Sequence, residues 1–407
     1  MFWTNALSTQ PSLEAAVTEV TQTILSSLST PADVGIFWIS SAYASDYSRL
    51  IPLILEKLPL PILIGCGGAG IIGQNEGKEV SEIENNPALS FTVGCLPNVK
   101  VNPFFLNSDS LPDLDSPPEI WQELIGVSPQ EQADFILLSD PFSTPINDLL
   151  AGLDFAYPQS VKVGGLSSSS LMGVPGTVFY YQADNPRSGF YNQGTVGLAL
   201  SGNITIDTIV AQGCRPIGKP YQVVKGERNI ILELSQDGET KYPLNWLREL
   251  INSLNDSDRT LAQHSLFVGV VRDEFKQELQ PGDFLIRNLL GVDPQLGAIS
   301  IGDRVRPGQR LQFHLRDAQT SADDLDTLLK QFNPSTPIQG ALMFSCLGRG
   351  QTLYQVPNFD SKLLANYFPG VPIGGFFCNG EIGPVGKETF LHGYTSVIAL
   401  LRQLRIE

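Results

Sequence analysis

The chain has 407 residues, of which 42% are hydrophobic and 17% charged, enough apolar material for two domains that each bury a core; this excludes a disordered chain. Its 26 Lys and Arg face 42 Asp and Glu, a net charge of −16 that would be repelled by a nucleic-acid backbone or an anionic membrane face, so neither is expected as a partner. Five widely spaced cysteines, never paired as C-x-x-C, exclude a disulfide framework and a zinc knuckle and point to reduced thiols.

In chain order, residues 1–10 place no basic residue before an apolar run, so they do not form a secretory signal. No later apolar run reaches the length of a spanning helix without Gly, Pro or charge. A soluble, cytoplasmic chain is expected. Residues 34–40 (VGIFWIS) form a continuous apolar strand; a helical stretch with Leu50, Leu53, Ile54 and Leu58 follows, interrupted by Pro52, and then a second strand with a glycine turn at 61–68 (PILIGCGG). The same unit recurs at 135–139 (FILLS), 146–153 and 161–168 (VKVGGLSS), and again at 341–345 (ALMFS), 360–368 and 371–379 (VPIGGFFCN). Ser40 to Gly65 and Ser139 to Gly164 are each 25 positions, and Ser345 to Gly374 is 29, as a loop insertion would give. Buried strands joined by a helical crossover predict parallel pairs covered by helices. Further β-like runs at 89–95, 177–182, 195–200 and 390–401 predict antiparallel additions, so the fold class is α/β, two-domain, built from repeated strand-helix-strand-hairpin units with mixed sheets flanked by helices. The polar segment 235–242 (SQDGETKY) is the expected linker, dividing the chain into 1–239 with two copies and 240–407 with one.

Residues 65–70 (GCGGAG) match G-x-G-x-x-G after a strand, but Gly73 and Gly77 stand where a dinucleotide site requires a helix, so a close-packed turn is the better reading. No Walker A, G-x-S-x-G, H-E-x-x-H or EF-hand pattern is present. The third copy alone sets charge beside its turns. Residues 344–350 (FSCLGRG) put Cys346, Arg349 and Gly350 at a strand's C-terminal end, the edge where open α/β sheets bind ligands, and 376–384 (FFCNGEIGP) bring Asn379, Gly380 and Glu381 to the matching end of the returning strand. In one cleft, Arg349 would pair a ligand carboxylate while Glu381 or Asn379 takes an amine or hydroxyl; the alternative is a structural salt bridge between the turns. A thiolate at Cys346 would need His392 as its base, and an inert cysteine is the commoner outcome, so the chain is not expected to be an enzyme.

Residues 340–350 (GALMFSCLGRG), 371–386 (VPIGGFFCNGEIGPVG), 390–400 (FLHGYTSVIAL) and 213–226 (GCRPIGKPYQVVKG) resemble the FIST sensory module, which would span residues 30–401. That resemblance implies a FIST N-terminal-like domain over 1–239 and a FIST C-terminal-like domain over 240–407. It also implies a signal-input role with a small ligand such as an amino acid. Relatives usually carry kinase, chemotaxis or cyclase outputs, so a separate signalling partner is expected here. Some relatives bind haem, which makes His392, in the apolar setting of Phe390, Leu391 and Tyr394, the candidate axial ligand of an alternative haem-binding reading; otherwise no cofactor is expected. F-box relatives use the fold to recruit proteins, so a protein-recruiting adaptor is the other alternative.

Overall fold

The computed structural model describes residues 1–171, 173–280 and 282–404. The chain opens with β1 (Phe2–Ser8) and α1 (Leu13–Ser27), whose first turn is capped by the Ser12 hydroxyl accepting from the Ala15 amide. The first copy follows as β2 (Val34–Ser40), α2 (Tyr47–Lys57), β3 (Ile62–Gly68), β4 (Gly70–Gln74), β5 (Val80–Glu84) and β6 (Leu89–Cys95). Pro52 does not interrupt α2: it lies on the exposed face of the helix, as does Ser48 four residues before it, where a hydrogen bond lost to proline costs least.

The second copy is β7 (Val99–Leu106), α3 (Pro118–Ile125), β8 (Asp134–Ser139), α4 (Ile146–Ala156), β9 (Lys162–Leu166), β10 (Val178–Gln182), β11 (Gly189–Tyr191), β12 (Thr195–Gly202) and β13 (Thr205–Ala211). Next come β14 (Cys214–Glu227), β15 (Ile230–Gln236), β16 (Glu239–Lys241), α5 (Pro243–Ser253), α6 (Asp256–Ala262), β17 (Leu266–Val271), β18 (Phe284–Asp293), β19 (Ala298–Ile301), β20 (Arg310–Arg316) and α7 (Ala318–Gln331). The third copy closes the chain with β21 (Ile338–Cys346), α8 (Gly350–Tyr354), α9 (Phe359–Tyr367), β22 (Ile373–Cys378), β23 (Glu381–Val385), β24 (Glu388–His392) and β25 (Ser396–Arg402). The described residues contain no helix long and apolar enough to cross a membrane.

The chain divides into two compact units. Unit one holds residues 1–210, 328–391 and 395–407, and unit two holds 211–327 with 392–394. All three copies therefore lie in unit one apart from residues 211 and 392–394, and a division at residue 239 falls inside unit two rather than between the units. The polar segment 235–242 is a hairpin turn and not a linker: Asp237 and Gly238 both take positive φ, the conformation that joins two antiparallel strands through two residues.

Unit one consists of three six-stranded sheets, each centred on one parallel pair, β2–β3, β8–β9 or β21–β22. On one flank the pair is joined by an antiparallel strand of its own copy, β6, β12 or β25. On the other flank the added strand comes from a different copy. The strand that leaves the first copy's glycine turn, β4, pairs with β22 of the third; β23 of the third pairs with β9 of the second; β10 of the second pairs with β3 of the first. The exchange is cyclic and closes on itself. It also explains why GCGGAG is not a dinucleotide turn: the chain passes from β3 straight into β4, with no helix N-terminus to meet a phosphate. Trp38, Ile136, Leu138, Phe344 and Phe376, drawn from all three sheets, meet in one core.

The shared glycines belong to this architecture. A Cβ at Gly65, Gly164 or Gly375 would overlap the carbonyl oxygen of Phe37, Leu137 or Met343 on the parallel neighbour. The third equivalent is thus Gly375; Gly374 faces Thr92, Asn5 and Trp38 instead.

Unit two is an antiparallel barrel in the order β14-β20-β17-β18-β19-β15, closed by pairing of β15 with β14. Alternate residues of β20, Leu311, Phe313 and Leu315, fill its core together with Trp246, Leu247 and Leu250 of α5.

Candidate functional site

The residues expected to bind ligand sit where two turns leave the parallel pair β21–β22. Cys346 ends β21 opposite Cys378 of β22 and is half-buried, and its sulfur accepts from the Gly348 amide at 3.4 Å. The turn then tightens, with the Arg349 amide donating to the Cys346 carbonyl at 2.9 Å. Gly350 begins α8 with φ of +65°, and a Cβ there would press on the carboxylate of Glu84, which comes from β5 of the first copy and accepts from the Gln351 amide at 2.9 Å.

Arg349 is 0% exposed and already has its carboxylate. Its Nε and Nη2 donate to the two oxygens of Asp360 on α9 at 2.6 and 3.1 Å, Nη2 donates to the Tyr354 hydroxyl at 2.6 Å, and that hydroxyl donates to Asp360 at 2.7 Å. Burial works against the charge, but the Asp360 carboxylate outweighs it and holds the guanidinium protonated more firmly than usual. The salt bridge of Arg349 therefore runs to Asp360, inside the helix that links the two strands, and not to Glu381.

Glu381 is also fully buried; it begins β23, lies opposite Gly165 of β9, and accepts from the Thr395 amide at 3.1 Å. The Asn379 amide donates to the Leu166 carbonyl at 3.0 Å, and the Leu166 amide to the Gly380 carbonyl at 2.8 Å. The Asn379-Gly380-Glu381 turn is thus the place where the third copy hands a strand to the second copy's sheet. It belongs to the cyclic exchange rather than to an open cleft.

His392 ends β24, is 3% exposed and is counted with unit two. So are His264 and His314, the latter held neutral, its pKa lowered to about 4 chiefly by burial. The haem reading fits poorly: His392 is closed off, and the unit-one groove described next has no His, Cys or Met in its wall. Among the described residues no three His, Cys, Asp or Glu side chains cluster as a metal site.

A larger open feature of unit one lies elsewhere among the described residues. A groove of about 1100 Å³ runs beside β1, the edge strand of its sheet. One bank is the polar face of α1, with Glu14, Thr18, Glu19 and Gln22; the other is the β4–β5 hairpin with Gln74, Asn75, Glu76 and Lys78, the start of β21 at Gln339, and residues 369–372 ahead of β22. Gln74 bridges the hairpin to that last segment by donating to the Val371 carbonyl at 3.2 Å. Glu14 is engaged with the exposed Arg49, whereas Glu76 and Lys78 on the hairpin are exposed and make no ion pair with any described residue. These residues come from four distant segments, and the only local signal is the i, i+4 spacing of Glu14, Thr18 and Gln22 along one helix face.

Residues 33–237 match the FIST N domain and residues 243–384 the FIST C domain. The chain belongs to the FIST family. FIST domains are sensory domains, which gives this chain a signal-input role. An uncharacterised protein of Mycobacterium tuberculosis is 32% identical over 402 residues, 97% of this chain and 98% of its own length. An uncharacterised Mycobacterium bovis protein is 32% identical over 370 residues, covering 89% and 88%. An F-box/LRR-repeat protein of Arabidopsis thaliana is 22% identical over 470 positions, covering 98% and 85%. In this FIST protein Arg349 and Glu381 lie within the FIST C match, whereas the groove joins the hairpin of the FIST N match to residues 338–339 and 369–372 of the FIST C match, with β1 and α1 ahead of both.

Proposed function

We propose that this FIST protein is a sensory ligand-binding protein that holds a small polar metabolite of the amino-acid class in the groove beside β1. The observation that carries the reading is the lining: a concave surface of hydroxyls and amides in which Lys78, free of any ion pair, can meet a carboxylate, and Glu76 and Glu19 an ammonium group. Arg349, by contrast, is buried and bonded to Asp360, which favours the groove over the glycine-rich turns.

The protein acts as a binder rather than a catalyst in this reading, with Cys346 an inert, half-buried thiol. Its free cysteines and acidic surface suit a cytoplasmic protein that passes its signal to a separate partner. A thermal-shift screen against amino acids and small organic acids tests it. Hits should stabilise the wild type and the surface variant Lys225→Ala but not Lys78→Ala; an equal shift in Lys78→Ala would remove the groove as the site.

A further inference from the structure

The buried cluster around Arg349 extends to a carboxyl group with a separate role. Glu82 of β5 is 6% exposed. Its amide donates to the side chain of Asn358, the N-cap of α9, at 2.6 Å, and its Oε1 accepts from the Ser361 amide at 2.8 Å. Ser361 lies in the first turn of α9, where backbone amides lack helical acceptors, so the β5 strand and the helix N-terminus clasp each other through two reciprocal bonds. The other oxygen, Oε2, is buried and accepts no hydrogen bond within normal distance from the described residues. Around it stand the carboxylate of Asp360, itself held by Arg349 and Tyr354, and Glu84 further along β5.

We infer that Glu82 is a proton-binding switch: its protonation tightens the clasp between the β4–β5 hairpin and α9, and its ionisation loosens it. An ionised Glu82 would place a buried charge beside a second carboxylate, which the amide and hydroxyl of Ser361 offset only in part, whereas the protonated form keeps the Ser361 bond through Oε1 without that charge. Burial, with the Asp360 charge second, raises the pKa of Glu82 from its ordinary 4.5 to about 7, and hydrogen bonding from Ser361 only partly opposes this. The switch would therefore operate near neutral pH. The clasp joins the hairpin of one groove bank to the helix that leads into residues 369–372 of the same groove, so the switch would also tune the groove; that consequence rests on the function proposed above, while the clasp itself does not.

Hydrogen exchange read by mass spectrometry, corrected for intrinsic rates, compares pH 6 with pH 8 in the wild type, Glu82→Gln and Glu84→Gln. We expect peptides covering residues 359–367 to lose at least fivefold protection at pH 8 in the wild type and in Glu84→Gln, no change in Glu82→Gln, and no change over α4 in any of them. Persistence of the pH dependence in Glu82→Gln, its loss in Glu84→Gln, or its absence from the wild type would overturn the switch. Should Glu82→Gln fail to fold, proton-linked carboxyl signals of wild-type protein labelled at glutamate would decide it: a midpoint near the ordinary 4.5 for Glu82 contradicts the proposal, and one near neutrality supports it. A switching clasp in a protein that binds no metabolite would refute the ligand reading alone.

Discussion

The Arg349 turn and the groove beside β1 lie in the same unit and differ in almost every property that matters for binding. The turn concentrates its chemistry in a few consecutive residues, yet its cation is fully buried and paired with Asp360. The groove scatters its chemistry over four segments, yet leaves Lys78 and Glu76 exposed and free of ion pairs. The difference teaches that a charged residue between glycines marks a place where backbone approaches closely, and close approach serves packing as readily as ligand binding. Gly350 is such a case: the space a side chain would occupy is taken by Glu84.

Four substitutions test this contrast, in descending order of effect. Arg349→Met leaves Asp360 buried without its counter-ion and should cost about 3–5 kcal/mol in chemical denaturation, while any metabolite shift measured in the surviving folded protein persists. For Glu82, the folded chain binds the proton more tightly than the unfolded chain does. Wild-type stability therefore rises as pH falls from about 7 toward 4.5, and Glu82→Gln should be the more stable protein at pH 8, by on the order of 3 kcal/mol, with the two converging at pH 4.5 and below. Gly164→Ala drives a methyl into the Leu137 carbonyl and should cost about 1–3 kcal/mol, read from the denaturation midpoint. Lys78→Ala should move stability by no more than about 0.5 kcal/mol, yet abolish ligand stabilisation; the reverse pattern would exchange the roles of the two regions.

The parallel pairs were legible because each buried strand is a continuous apolar run bounded by a turn, as in VGIFWIS and ALMFS, and period and punctuation are local properties. The cyclic exchange was not, since nothing in GIIGQ says that β4 leaves its own sheet for β22; that pairing is decided by a core shared among three sheets. The barrel of unit two escaped for another reason. Its strands alternate as RLQFHLR does, a readable pattern, but the repeat drew attention to the flanking copies and the hairpin at 235–242 resembled a linker. Arg349 was found, and its partner was not. Asp360 is eleven positions away, within a segment read as helix, and a carboxylate on a crossover helix gives no sign of which way it faces.

The central claim, that ligand binds beside β1 and not at the glycine-rich turns of the third copy, is tested most directly by hydrogen exchange of the wild-type protein with and without a metabolite that stabilises it. Protection gathered over residues 74–78, 369–372 and α1 is the predicted result. Protection confined to residues 346–350 and 379–381 would contradict it.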